Sequence, residues 1–134
     1  MALATAKAQP LTKGKLKLMI CDDSNIIRRK IERELQIERL QVIATAANGK
    51  LAVEAFRKEP ADVVTMDITM PEMDGIECVE HVIKIKPDVL ILVVSALADK
   101  ATAVEAIEKG ANGFLCKPFT DDQLNEALAE LIGE

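Results

Sequence analysis

From about Leu16 onward, short apolar runs alternate with amphipathic segments, the pattern of a parallel sheet with crossover helices. Five such units are legible, with strands expected near 16–21, 40–46, 63–66, 89–95 and 113–116. The fourth, V-L-I-L-V-V-S, is apolar without alternation, as a strand covered on both faces should be. The helices carry matching marks. Ser24 caps the first, in which Ile27, Ile31 and Leu35 recur every four residues as one buried stripe. The second covers 51–58 and is stopped with the help of Pro60. Asp74 and Gly75 open a third that runs to about Lys86, where Pro87 ends it. A fourth spans about 100–109 and stops at Gly110, and the fifth follows a Thr120 cap with Leu124, Leu128, Leu131 and Ile132 on one side. The expected fold class is therefore α/β, a (βα)5 parallel sheet with right-handed crossovers.

Residues 16–134 account for one domain, and 1–15 read as a frayed tail. There is no internal repeat, low-complexity run or linker, and no second domain is expected. The opening segment lacks the long apolar core of a signal peptide, and no later run approaches membrane-spanning length, so a cytoplasmic protein is expected. Composition narrows the function further. With no Trp, no Tyr and three Phe, the chain lacks the aromatic platforms that stack single-stranded nucleic acid, and a net charge of -5 makes a phosphate backbone an unlikely partner. Cys21, Cys78 and Cys116 are odd in number with no C-x-x-C pair, which suits free thiols in a reducing compartment.

The candidate chemistry lies at the carboxyl ends of the strands, where open parallel sheets bind ligands. Asp22 and Asp23 follow the first strand, Asp67 the third, Ser95 the fourth and Lys117 the fifth. Each alone has a plain structural explanation as a helix-flanking acid, a strand end or a solvated lysine. Together they define one polar edge. Two carboxylates about 4 Å apart repel by about 4 kcal/mol at an effective dielectric of about 20, so either one protonates or a cation neutralises them. An oxygen-only donor set on a wet edge favours Mg2+ and disfavours Zn2+.

D-D-S after strand one, M-D-I-T-M-P-E-M-D-G after strand three, S-A after strand four and K-P-F after strand five resemble the receiver domain of two-component response regulators. The resemblance spans nearly the whole chain, and the blocks V-T-M-D-I-T-M-P-E-M-D-G and E-A-I-E-K-G-A-N-G-F-L-C-K-P-F look especially like chemotaxis receivers. It implies a flavodoxin-like, doubly wound five-stranded sheet of order 2-1-3-4-5. It further implies that Asp67 accepts a phosphoryl group from a histidine of a partner kinase. Asp23, Asp67 and the carbonyl of Thr69 would hold Mg2+, with Asp22 helping through water, and Lys117 would reach a phosphoryl oxygen. Ser95 would bond the new phosphoryl group, and Phe114 would turn inward as a switch that reshapes the face of the fourth and fifth helices. For Phe114 a permanent core ring is an equal expectation. Thr69 and Leu97 would flank the approach of hydrolytic water, Lys117-Pro118 would be cis, and His81 would be a solvated residue of the third helix. The implied protein is a monomer, phosphoacceptor rather than enzyme, that switches binding to a downstream target, first among them a flagellar motor switch. A phosphorelay shuttle and a receiver outside motility remain open. A phosphatase of the haloacid dehalogenase type would need a second aspartate where Thr69 stands, and a flavodoxin-type electron carrier would need a hydroxyl-rich loop and rings where D-D-S-N stands.

Overall fold

Strand β1 (Leu16–Cys21) lies at the centre of the chain's first three strands, paired in parallel with β2 (Leu40–Ala46) on one side and β3 (Val63–Asp67) on the other. Strands β4 (Leu90–Ala96) and β5 (Gly113–Lys117) extend the sheet from β3, giving the order β2-β1-β3-β4-β5. The computed structural model describes residues 15–70, 72–96 and 100–134, so the tail expected over 1–15 falls almost wholly outside the described residues, as does Leu97. Helices α1 (Asn25–Glu34), α2 (Gly49–Lys58), α3 (Gly75–Ile85), α4 (Lys100–Glu108) and α5 (Asp121–Ile132) alternate with the strands. This is the expected (βα)5 fold with strand order 2-1-3-4-5.

Alternation along the strands feeds two cores. Met19, Val64, Met66, Ile91 and Val93 pack with Phe56 of α2, Val79 and Val82 of α3 and Ala103 and Ala106 of α4. Leu18, Ile20, Val63, Leu92 and Val94 face the other way, against Ile31 of α1 and Leu124 and Leu128 of α5. Strands β1, β3 and β4 thus bury both faces, which is why their sequences are largely apolar, whereas the edge strands β2 and β5 are only partly covered.

Four helices start on a side-chain cap that satisfies an otherwise orphaned N–H. Ser24, Asn48, Asp74 and Thr120 accept from the backbone N–H of Ile27, Leu51, Glu77 and Gln123. At α5 the Gln123 side chain answers by accepting from the Thr120 N–H, completing a capping box. Helix α2 begins two residues earlier than the expected 51–58, because Asn48-Gly49, a pair that reads as a turn, instead forms the cap and first residue. The carboxyl ends of β3, β4 and β5 each run one residue past expectation. Their apolar runs stop, but the ladder still pairs Asp67 with Val94 and Ala96 with Lys117. Strand β4 also starts at Leu90 instead of Val89. The extension matters for the site, since Asp67 and Lys117 become strand residues with fixed registers.

Candidate functional site

At the carboxyl edge of the sheet, β1 and β3 run side by side, and the acids that follow or end them converge. Oxygens of Asp22, Asp23 and Asp67 all lie within 4.8 Å of one another. Asp22 and Asp67 continue the parity of Ile20 and Val63 and are buried, whereas Asp23 is exposed. Lys117 arrives from β5, two strands from β3, with Nζ 2.8 Å from Asp22 Oδ2 and 3.8 Å from Asp67 Oδ2. One lysine therefore meets two of the three clustered carboxylates.

Short local bonds fix the acids. Asp22 donates its N–H to the Ala46 carbonyl at 3.0 Å, and its Oδ1 accepts the Ser24 N–H at 2.9 Å. Asp67 Oδ1 accepts both the backbone N–H of Thr69 at 3.1 Å and its hydroxyl at 3.3 Å. Gly75 lets α3 close over the site: its N–H donates to the Ile68 carbonyl at 3.1 Å, bringing its Cα against the β3 backbone. In the intervening loop Glu72 holds a left-handed φ of 76°.

Burial pushes the Asp67 carboxyl from its ordinary 3.8 up to about 6; the Thr69 N–H pulls it down, the Asp22 charge raises it, Lys117 lowers it, and contact with Asp23 raises it again. Folding thus favours the protonated form. The stabilisation this provides is complete below about pH 4 and lost as pH rises through about 6, so near neutrality the ionised Asp67 opposes folding. In metal-free buffer, Asp67→Asn should therefore raise stability to urea by about 1–2 kcal/mol at about pH 7.5, a value reduced for solvent at the mouth of the site. The advantage should fade below about pH 6 and vanish near pH 4; a constant advantage across that range would contradict the assigned cause.

The residues fit a hard divalent cation. Asp22 Oδ2 is buried with no hydrogen-bond donor of good geometry, so its contact with Lys117 is a bare ion pair and the oxygen is left to ligate. Every other donor in the cluster is oxygen as well, the preference of Mg2+.

The other expected residues take the following places. Ser95, buried, lies one residue beyond Val94, the register partner of Asp67, and on the opposite face; its hydroxyl donates to the Ala96 carbonyl at 3.3 Å. Phe114 is half-buried against the α2–α3–α4 core. The Lys117-Pro118 peptide is cis. His81 sits half-exposed on α3. The three cysteines are free; burial pushes Cys21 well above the usual thiol range and Cys78 up to about 12, so both are unreactive packing groups. Two features escape the sequence. One is the pairing of Lys117 with Asp22, and the other is Arg28, whose guanidinium donates to the Asp22 carbonyl.

Comparison with known proteins places this geometry. The family described as the response regulator receiver domain matches residues 18–129. The chain belongs to that family. It is 39% identical to the chemotaxis protein CheY of Thermotoga maritima over 112 residues, 84% of this chain and 93% of that protein. Among solved structures, the receiver domain of AraT, a response regulator from Geobacillus stearothermophilus, superposes with a TM-score of 0.84 at 28% identity, over 88% of this chain and 93% of that one. A CheX–CheY–BeF3–Mg2+ complex from Borrelia burgdorferi gives a TM-score of 0.79 at 29% identity, covering 86% of this chain and 87% of that one. The protein is a CheY-like receiver. No helix among the described residues is long and apolar enough to cross a membrane.

Proposed function

We propose that this receiver is a cytoplasmic phosphorylation switch whose nucleophile is Asp67. The observation that carries the reading is the gathering of Asp22, Asp23 and Asp67 oxygens within 4.8 Å, on an edge where Lys117 supplies the opposing charge. In the transfer, an Asp67 carboxylate oxygen attacks phosphorus, the P–O bond forms as the P–N bond to a partner kinase's histidine breaks, and the imidazole departs with the electron pair. Bound by the carboxylates of Asp22, Asp23 and Asp67 and the Thr69 carbonyl, Mg2+ would supply the positive charge that phosphoryl oxygens need among three acids.

The chain's own groups do the positioning. The two bonds from Thr69 fix Asp67 Oδ1 and leave Oδ2 on the side of Lys117. Lys117 then meets a phosphoryl oxygen as a point charge. Ser95 bonds the phosphoryl group, and Phe114, on the same side of the sheet, responds by deeper burial against α4, changing the surface offered to a target. The target is proposed to be a chemotaxis partner, with a flagellar motor switch first, on the strength of similarity to CheY over 93% of the Thermotoga protein.

The direct test is incubation with acetyl phosphate, with and without Mg2+, followed by rapid intact-mass measurement. The expected result is one added phosphoryl group that requires Mg2+ and disappears in Asp67→Asn. Labelling that survives in Asp67→Asn would move the acceptor elsewhere, and no labelling of a protein that binds Mg2+ would reject the switch.

A further inference from the structure

Arg28 lies in the first turn of α1, where the helix dipole disfavours a positive charge and where no acidic side chain compensates it. Its placement has another cause. Nη1 donates to the backbone carbonyl of Asp22 at 2.6 Å, and Nη2 donates to the Asn25 side-chain oxygen. Both acceptors are neutral, so this is a clamp and not an ion pair. The carbonyl it grips belongs to the peptide joining Asp22 to Asp23. The direction of that peptide decides how the chain leaves β1 and therefore where the Asp23 carboxylate comes to rest. Asp22 itself is held by Ala46, Ser24 and Lys117, whereas exposed Asp23 has its contact with Asp67 and otherwise follows this backbone.

We infer that Arg28 is a positioning residue for the cation site, acting through the Asp22–Asp23 peptide. The planar fork suits the task because two donors in one rigid plane fix both the carbonyl and the guanidinium's own orientation through Asn25; a lysine ammonium supplies the charge without the fork. Groups that orient a metal's ligands typically alter affinity 10- to 100-fold when removed, as an approximate range.

This inference rests on the proposed Mg2+ site, and calorimetric titration with MgCl2 separates the two. Charge and geometry predict opposite signs. Removing a nearby positive charge should by itself tighten Mg2+ binding, whereas losing the clamp should weaken it. The expected result is a dissociation constant raised about tenfold in Arg28→Met and at least about threefold in Arg28→Lys, with Asn25→Ala shifted in the same direction. Acetyl phosphate labelling should need correspondingly more Mg2+ to reach half its maximal rate in each. Should Arg28→Met not fold, Arg28→Lys and Asn25→Ala carry the same comparison. Unchanged or tighter Mg2+ binding in the folded variants would overturn the positioning role while leaving the site intact. A wild-type protein that takes up no Mg2+ would overturn both.

Discussion

Gly75→Ala should cost about 3 kcal/mol or more and lower the thermal midpoint by about 10 °C, although alanine is the better helix former by about 1 kcal/mol. Gly75 is the first residue of α3, and a Cβ there would meet the Ile68 Cα at 2.4 Å and the Asp67 carbonyl oxygen at 2.5 Å. Both are backbone atoms of the segment that carries the candidate nucleophile, so neither can swing aside as a side chain does. Relief requires α3 to lift from β3, which breaks the Gly75 N–H bond to the Ile68 carbonyl and displaces Asp67 with it. The variant should therefore lose Mg2+-dependent labelling as well as stability. Gly113→Ala is the control, because its Cβ would meet only side-chain ends, Leu92 Cδ1 at 3.2 Å and Leu131 Cδ1 at 3.8 Å. Thermal melts of both, with the labelling assay alongside, check the expectation. Equal midpoints for the two variants would show that the α3 start yields easily.

The same contact shows why the edge was legible and its wiring was not. Apolar runs dictate where strands end, and a parallel topology brings those ends to one side, so Asp22, Asp23, Asp67 and Lys117 could be placed together from spacing alone. Which groups pair depends on side-chain reach across strands, which no local pattern encodes. Lys117 lies two strands from Asp67 yet comes closer to Asp22, a strand further still. Arg28 looks like an ordinary charged helix residue until the β1–α1 turn folds its guanidinium back to Asp22. Asn125 is similar: on α5 it accepts the Gln36 N–H and donates to the Glu34 carbonyl, closing the end of α1 across 91 residues of sequence. Glu72 takes its left-handed φ from the demands of the loop between Asp67 and Gly75, and nothing about a glutamate announces it. Legibility fails where a contact depends on tertiary placement and not on period or cap.

Lys117→Met should destabilise the metal-free protein by about 2–3 kcal/mol, just below the usual range of about 3–5 kcal/mol for breaking a buried ion pair, because the lysine side chain keeps 22% of its exposure. The cost falls on Asp22, whose side chain is only 1% exposed and whose Oδ2 has no hydrogen-bond donor to replace the ammonium. In the metal-free state the lysine does part of the neutralising that Mg2+ would do, with its charge 2.8 Å from one acid and 3.8 Å from another. Two consequences distinguish this account from simple loss of packing. Mg2+ should restore more stability to Lys117→Met than it adds to the wild type, because the cation no longer shares Asp22 with an ammonium, and calorimetric affinity should rise accordingly. Acetyl phosphate labelling should nevertheless be slower, since a phosphoryl oxygen loses its point charge even when the metal is bound more tightly. Tighter Mg2+ binding combined with weaker labelling would separate the lysine's part in holding the acids from its part in the transfer. Unchanged urea stability of Lys117→Met without metal would mean that water reaches Asp22 and that the ion pair contributes nothing.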